Sequence, residues 1–173
     1  MTYETGLDAI TELVRWASEH VAERNEATTR LHLIDTLLLK CLGWPMHMVE
    51  AEKHFRKEYS DYELGEPSKL LLVEAKREGI YFELPHGFGQ EVCRLETLAG
   101  LNVGIGDAIK QAMEYAQSRG IPVAAVTNGH QLIAFIASRQ DGVPPSKGEA
   151  IVFESLEAIR TRFRQFWNCL SPS

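Results

Sequence analysis

Residues 60 to 77 read SDYELGEPSKLLLVEAKR, and this stretch decides the fold. Asp61 stands ahead of an apolar run, Leu70 to Val73, which ends in Glu74-Ala75-Lys76. The run, bounded by Gly65, Pro67 and Ser68, has the composition of a buried strand. Successive side chains of a strand point to opposite faces, so Glu74 and Lys76 share one face and Ala75 takes the other. If Asp61 lies on the neighbouring strand of a hairpin, two carboxylates and one ammonium converge at a strand end. A hard divalent cation takes oxygen ligands of this kind, and a lysine beside it can stabilise charge on a phosphate or orient a water. A surface hairpin with a Glu–Lys pair two residues apart would use the same residues.

On either side of this stretch the spacing predicts an α/β domain. Leu7, Ile10, Leu13, Val14 and Ala17 recur at helical spacing from about Gly6 to Ala22. A second helix is expected from near Asn25, a capping residue, to Leu42, with Gly43 and Trp44-Pro45 ending it. Its buried stripe would be Ile34, Leu37, Leu38 and Cys41. Strands are expected over residues 47 to 55, 58 to 64 and 69 to 76. Residues 77 to 104 show no clean period, and Pro85-His86-Gly87-Phe88-Gly89 reads as a loop. Helix returns over Asp107 to Ser118, with Gly104-Ile105-Gly106 read as the capping loop before it. Asn128-Gly129 is a hairpin signal between strands at Ile121 to Thr127 and Gln131 to Ala137, with His130 exposed at the turn. A strand at Ala150 to Phe153 precedes a closing helix that Ser155 caps and that ends near Leu170. The expected architecture is one domain over residues 1 to 173: an N-terminal helix to residue 24, a core over 25 to 137 with a central mixed sheet flanked by helices, and a loop, strand and closing helix over 138 to 173.

Composition bounds the function. The 173 residues are 45% hydrophobic and 24% charged, in the range of ordinary globular domains. The formal net charge of −6 argues against a simple nucleic-acid coating protein. It is compatible with a metal site, whose carboxylates are uncompensated until the cation arrives. Cys41, Cys93 and Cys169 are odd in number, widely spaced and without ligand spacing, so they are expected to be packing residues. No signal-like N-terminus or membrane-length apolar run is present, so a cytoplasmic location and no membrane partner are expected. His47 and His54, seven apart on an extended segment, point to opposite faces and do not suggest a shared metal.

Cleaving a phosphodiester at neutral pH needs an activated water, a charge sink for the phosphoryl oxygens and help for the leaving alkoxide, all of which bound Mg²⁺ can supply. Asp61 and Glu74 are the candidate ligands, with the Ala75 carbonyl between the two working side chains of its strand. Lys76 would contact the phosphate or orient the water. Glu26, at the edge of the second helix's apolar stripe, would either pair with Arg30 four residues on or lean toward the metal as an outer ligand. Gln111 and Tyr115 lie four apart on the later helix, where Gln111 could reach a phosphate or metal-bound water and the Tyr115 hydroxyl could brace it. An exposed glutamine beside a half-buried tyrosine would give the same pattern.

Four segments in series carry a family resemblance: NEATTRLHLIDTLLLKCLGW (25–44), DYEL (61–64) with LLLVEAKR (70–77), QAMEYA (111–116) and AAVTNGHQLIAF (124–135). Over roughly residues 20 to 137 the chain resembles the PD-(D/E)XK nucleases, in particular the N-terminal nuclease domain of type I restriction endonuclease motor subunits. Ser60 stands where the superfamily name places a proline before the aspartate. The resemblance implies a restriction-endonuclease-like core and Mg²⁺-dependent DNA cleavage, with Mn²⁺ able to substitute, in restriction or anti-phage defence. It implies catalytic roles for Asp61, Glu74 and Lys76, with Glu26, Gln111 and Tyr115 in support. A catalytically weak module for nucleic-acid sensing or protein docking, and an RNA-cleaving nuclease, are the alternatives. With 24 acidic against 18 basic side chains and no basic run, further domains or subunits are expected to supply the grip on DNA. A homo-oligomer could supply the second cut of a duplex, and the Ser-Pro-Ser ending after Trp167 and Leu170 reads as a domain boundary in a larger protein.

Overall fold

The computed structural model describes residues 1–20, 30–55, 58–76 and 82–172. Helix α1 (Tyr3–Glu19) starts three residues earlier than its apolar spacing suggests, because Thr2 accepts from the Thr5 N–H and Thr5 caps it in return. His20 ends it. Its buried face is Gly6, Ile10, Leu13 and Ala17. A Cβ on Gly6 would overlap the Cys41 carbonyl oxygen and come within 2.9 Å of the Phe163 ring, so glycine allows α1 to lie directly on its neighbours. The second helix, α2, is described over Arg30–Ile34 and Thr36–Cys41 and is wound wide, with the Leu42 N–H donating to the Leu37 carbonyl five residues back. Gly43, at φ +75°, turns the chain out of it as expected.

Among the described residues seven strands follow: β1 (Val49–Phe55), β2 (Glu58–Leu64), β3 (Leu71–Ala75), β4 (Val92–Arg94), β5 (Val123–Thr127), β6 (Leu132–Ile136) and β7 (Glu149–Phe153). They form one sheet in the order β1-β2-β3-β5-β6-β7-β4. Every neighbouring pair is antiparallel except β3 and β5, which makes the sheet mixed. Helices cover both faces. Leu64, Leu71, Val73, Ala125 and Phe153 pack with α1, α2 and the closing helices. Leu72, Ala124, Val126, Ile133 and Val152 face the other way, onto α3 (Leu95–Ala99) and α4 (Val103–Arg119). The alternation of Leu71 to Ala75 between these two cores is the period-two pattern of its sequence. Among the described residues no helix is long and apolar enough to cross a membrane.

Four expectations are corrected. Where residues 77 to 104 showed no clean period, the described part from 82 onward supplies β4 and α3, and β4 adds to the far edge of the sheet against β7. Helix α4 begins at Val103, not Asp107, because Asn102 accepts from the Ile105 N–H and caps it. Gly104-Ile105-Gly106 therefore lies within the first turns. A Cβ on Gly106 would sit 2.7 Å from the Ala99 carbonyl oxygen, so that glycine permits the close packing of α3 on α4. The β5–β6 hairpin pivots on Gly129-His130, one residue later than expected: the Asn128 N–H donates to the Gln131 carbonyl, and the Asn128 side chain accepts from the Gln131 N–H. His130 is half-buried, not exposed. The closing helix is two pieces, α5 (Leu156–Thr161), capped by Ser155, and α6 (Phe163–Leu170). They part at Arg162, whose guanidinium donates to the Val152 carbonyl and lies 4.5 Å from the Phe153 ring centroid.

Cys41 and Cys93 are buried as packing residues, whereas Cys169 is exposed. Burial pushes the Cys41 thiol up to about 12 and raises that of Cys169 as well. An aromatic disulfide reagent is therefore expected to titrate one thiol in the native protein and three after unfolding. Because the Cys169 thiol is raised, the native reaction should accelerate as pH climbs above neutrality. Three equally fast native thiols would show that this packing is wrong.

Candidate active site

β2 and β3 pair with Tyr62 opposite Val73, Glu63 opposite Leu72 and Leu64 opposite Leu71. One step further along this register Asp61 stands opposite Glu74. Glu63 and Glu74 thus point to the α4 face with Leu72, and Asp61, two residues from Glu63, points there too. The backbone ladder stops at Tyr62–Val73, and the next N–H that β3 turns toward β2, that of Ala75, is taken by Asp61 Oδ2 at 2.7 Å. Within an extended strand the N–H and C=O of one residue point the same way, so the Ala75 carbonyl also faces the gap between β2 and β3.

Glu74 is 3% exposed. Its Oε1 accepts from Lys76 Nζ at 2.6 Å, and the same ammonium donates to Gln111 Oε1 at 2.8 Å. The Lys76 backbone N–H donates to the Thr127 carbonyl, which keeps this end of β3 registered on β5 while its side chain works on the α4 face. Gln111 is exposed on α4, and Tyr115 is buried on the same helix one turn further along. The structure thus brings together Asp61, Glu74, Lys76, Gln111 and the Ala75 backbone. Glu26 lies outside the described residues.

Asp61 accepts from a backbone N–H and Glu74 from an ammonium. Among the described residues no group of three or more His, Cys, Asp or Glu side chains gathers. Two carboxylates and one carbonyl still suit Mg²⁺, which keeps several waters and binds proteins through one or two carboxylates. Such a set is too sparse for a closed structural zinc site.

Glu63 was not singled out by its sequence context, yet it is fully buried on the site's face, with Arg119 Nη2 3.0 Å from its Oε2. The signal was available: Asp61 and Glu63 are two apart on one strand, so any face that buries one carries the other, and a buried carboxylate demands a donor. The α4 face of the sheet thus carries two ion pairs, Glu63 with Arg119 and Glu74 with Lys76. Compared with known protein families, curated proteins and solved structures, the chain matches none of them, and the site stands on its own geometry.

Proposed function

We propose that this chain is a metal-dependent nuclease domain with a restriction-endonuclease-like core, hydrolysing DNA phosphodiester bonds in restriction or anti-phage defence. One observation carries the reading: on one sheet face, at the end of β3, Glu74 and Lys76 meet at 2.6 Å and Asp61 binds the backbone of the residue between them. Asp61, Glu74 and the Ala75 carbonyl would hold Mg²⁺ or Mn²⁺, and the bound ion would lower the pKa of a water and offset charge on the scissile phosphate. Lys76 would contact a phosphate oxygen or orient the attacking water, with its ammonium held by Glu74 and Gln111. Asp61 stays oriented because the Ala75 N–H holds one of its oxygens.

The net charge of −6 makes an independent grip on a polyanion weak, so tight DNA capture is assigned to further domains, subunits or a second copy. The test is incubation with supercoiled plasmid at high and low protein concentration in Mg²⁺, Mn²⁺ or EDTA. Nicked or linear product with either cation and none with EDTA is the expected result. Cleavage that persists in EDTA, or RNA cut with DNA left intact, would overturn the reading.

A further inference from the structure

Helix α4 is tied to the sheet by polar contacts at two levels. At one, Lys76 Nζ donates to Gln111 Oε1, and at the other Arg119 Nη2 reaches Glu63 Oε2. Gln111 and Arg119 are eight residues apart, about 12 Å along a helix at ~1.5 Å per residue. Glu63 is level with Leu72 in the β2–β3 register, and from there to Lys76 is four strand steps, about 13 Å at ~3.3 Å each. The two spans match, so both tethers close at one placement of the helix along the strands. A slip of one helical turn, about 5.4 Å, would break both.

Apolar packing of α4 on the sheet contributes to the same placement. The buried face of α4 alternates Ala108, Ala112 and Ala116 with Ile105, Ile109 and Tyr115. The alanines let the helix come close, the larger side chains limit its slip, and the two polar tethers fix which residues meet at each end.

We propose that the Glu63–Arg119 ion pair is a positioning element that fixes α4 along β2 and β3 and thereby holds Gln111 on the Lys76 ammonium. Neither residue touches the reacting atoms in this arrangement, and both act through Gln111. The bearing of this pair on cleavage rests on the nuclease reading, whereas its effect on Lys76 does not.

The test reads Lys76 directly, by NMR of the metal-free, ¹⁵N-lysine-labelled protein, with the ammonium signal assigned through Lys76→Arg. Glu63→Met/Arg119→Met removes both charges together, so neither is left buried alone. This pair of changes is expected to move the Lys76 signal to the position it takes in Gln111→Ala. Should the methionine pair not fold, Glu63→Gln/Arg119→Gln, two shorter uncharged amides, is read in the same way. A folded variant with the Lys76 signal at its wild-type position overturns the proposal. If the wild-type protein cuts plasmid, the methionine pair should also lower kcat on the order of tenfold at unchanged KM, with no further loss in the Gln111→Ala background. Additive losses there would mean the pair does not act through Gln111. If the wild-type protein does not cut, the nuclease reading fails and the Lys76 signal still decides the positioning role.

Discussion

Asp61→Asn and Glu74→Gln are each expected to lower metal-dependent cleavage on the order of 10³-fold, the rate equivalent of several kcal/mol of lost metal stabilisation. The amides keep the shape and an acceptor oxygen but lose the charge that a hard cation needs. In Asp61→Asn the side-chain oxygen can still accept from the Ala75 N–H, so the fold should be retained. Asp61→Ala removes that acceptor and should cost about 1 kcal/mol more in stability, because the Ala75 N–H loses its partner. Lys76→Ala is expected to slow cleavage while metal binding survives, since the ammonium is a neighbour of the ligand set and not part of it. Calorimetric titration with Mg²⁺ and Mn²⁺ separates these cases. An unchanged cation affinity in the Asp61→Asn protein would remove Asp61 from the ligand set.

Arg119→Met alone is expected to destabilise the protein by about 3–5 kcal/mol, whereas Glu63→Met/Arg119→Met should lose far less. The single change strips Arg119 from a carboxylate that is fully buried between sheet and helix. The double change leaves two apolar chains of similar volume in the same place. Urea denaturation of wild type, both single variants and the double variant yields the coupling energy directly. A double variant that is destabilised by the sum of the two singles would show that the carboxylate and guanidinium do not depend on each other.

The strands that frame the site could be read from sequence because their physics is local. Leu71 to Ala75 alternates between two cores, and a Gly65-to-Ser68 break precedes it. The placement of Asp61 beside the Glu74-to-Lys76 segment was accessible for the same reason, since a short hairpin leaves few registers. What escaped the reading depends on distant partners. Val92 to Arg94 is a strand because β7, far along the chain, offers it an edge, and three residues carry no period of their own. Gly104 and Gly106 suggested a loop because glycine disfavours helix, but the Ala99 backbone leaves no room for a larger residue at 106. Arg162 divides the closing helix through contacts with Val152 and Phe153, which no helical pattern foretells. Glu63 passed unremarked because its partner, Arg119, lies far along the chain.

The place of β4 in the sheet has a consequence for how the molecule is made. Its pairing partner β7 leaves the ribosome about 55 residues later, a delay of several seconds at about 5–20 residues per second. Through that interval β1, β2 and β3 can already associate as neighbours in sequence, and β5 with β6 can follow. The strand born fourth thus finds its seat last, while the hairpin that bears Asp61 and Glu74 can form early. A nascent chain halted before Glu149 should protect the amides of β2 and β3 from exchange and leave those of β4 open.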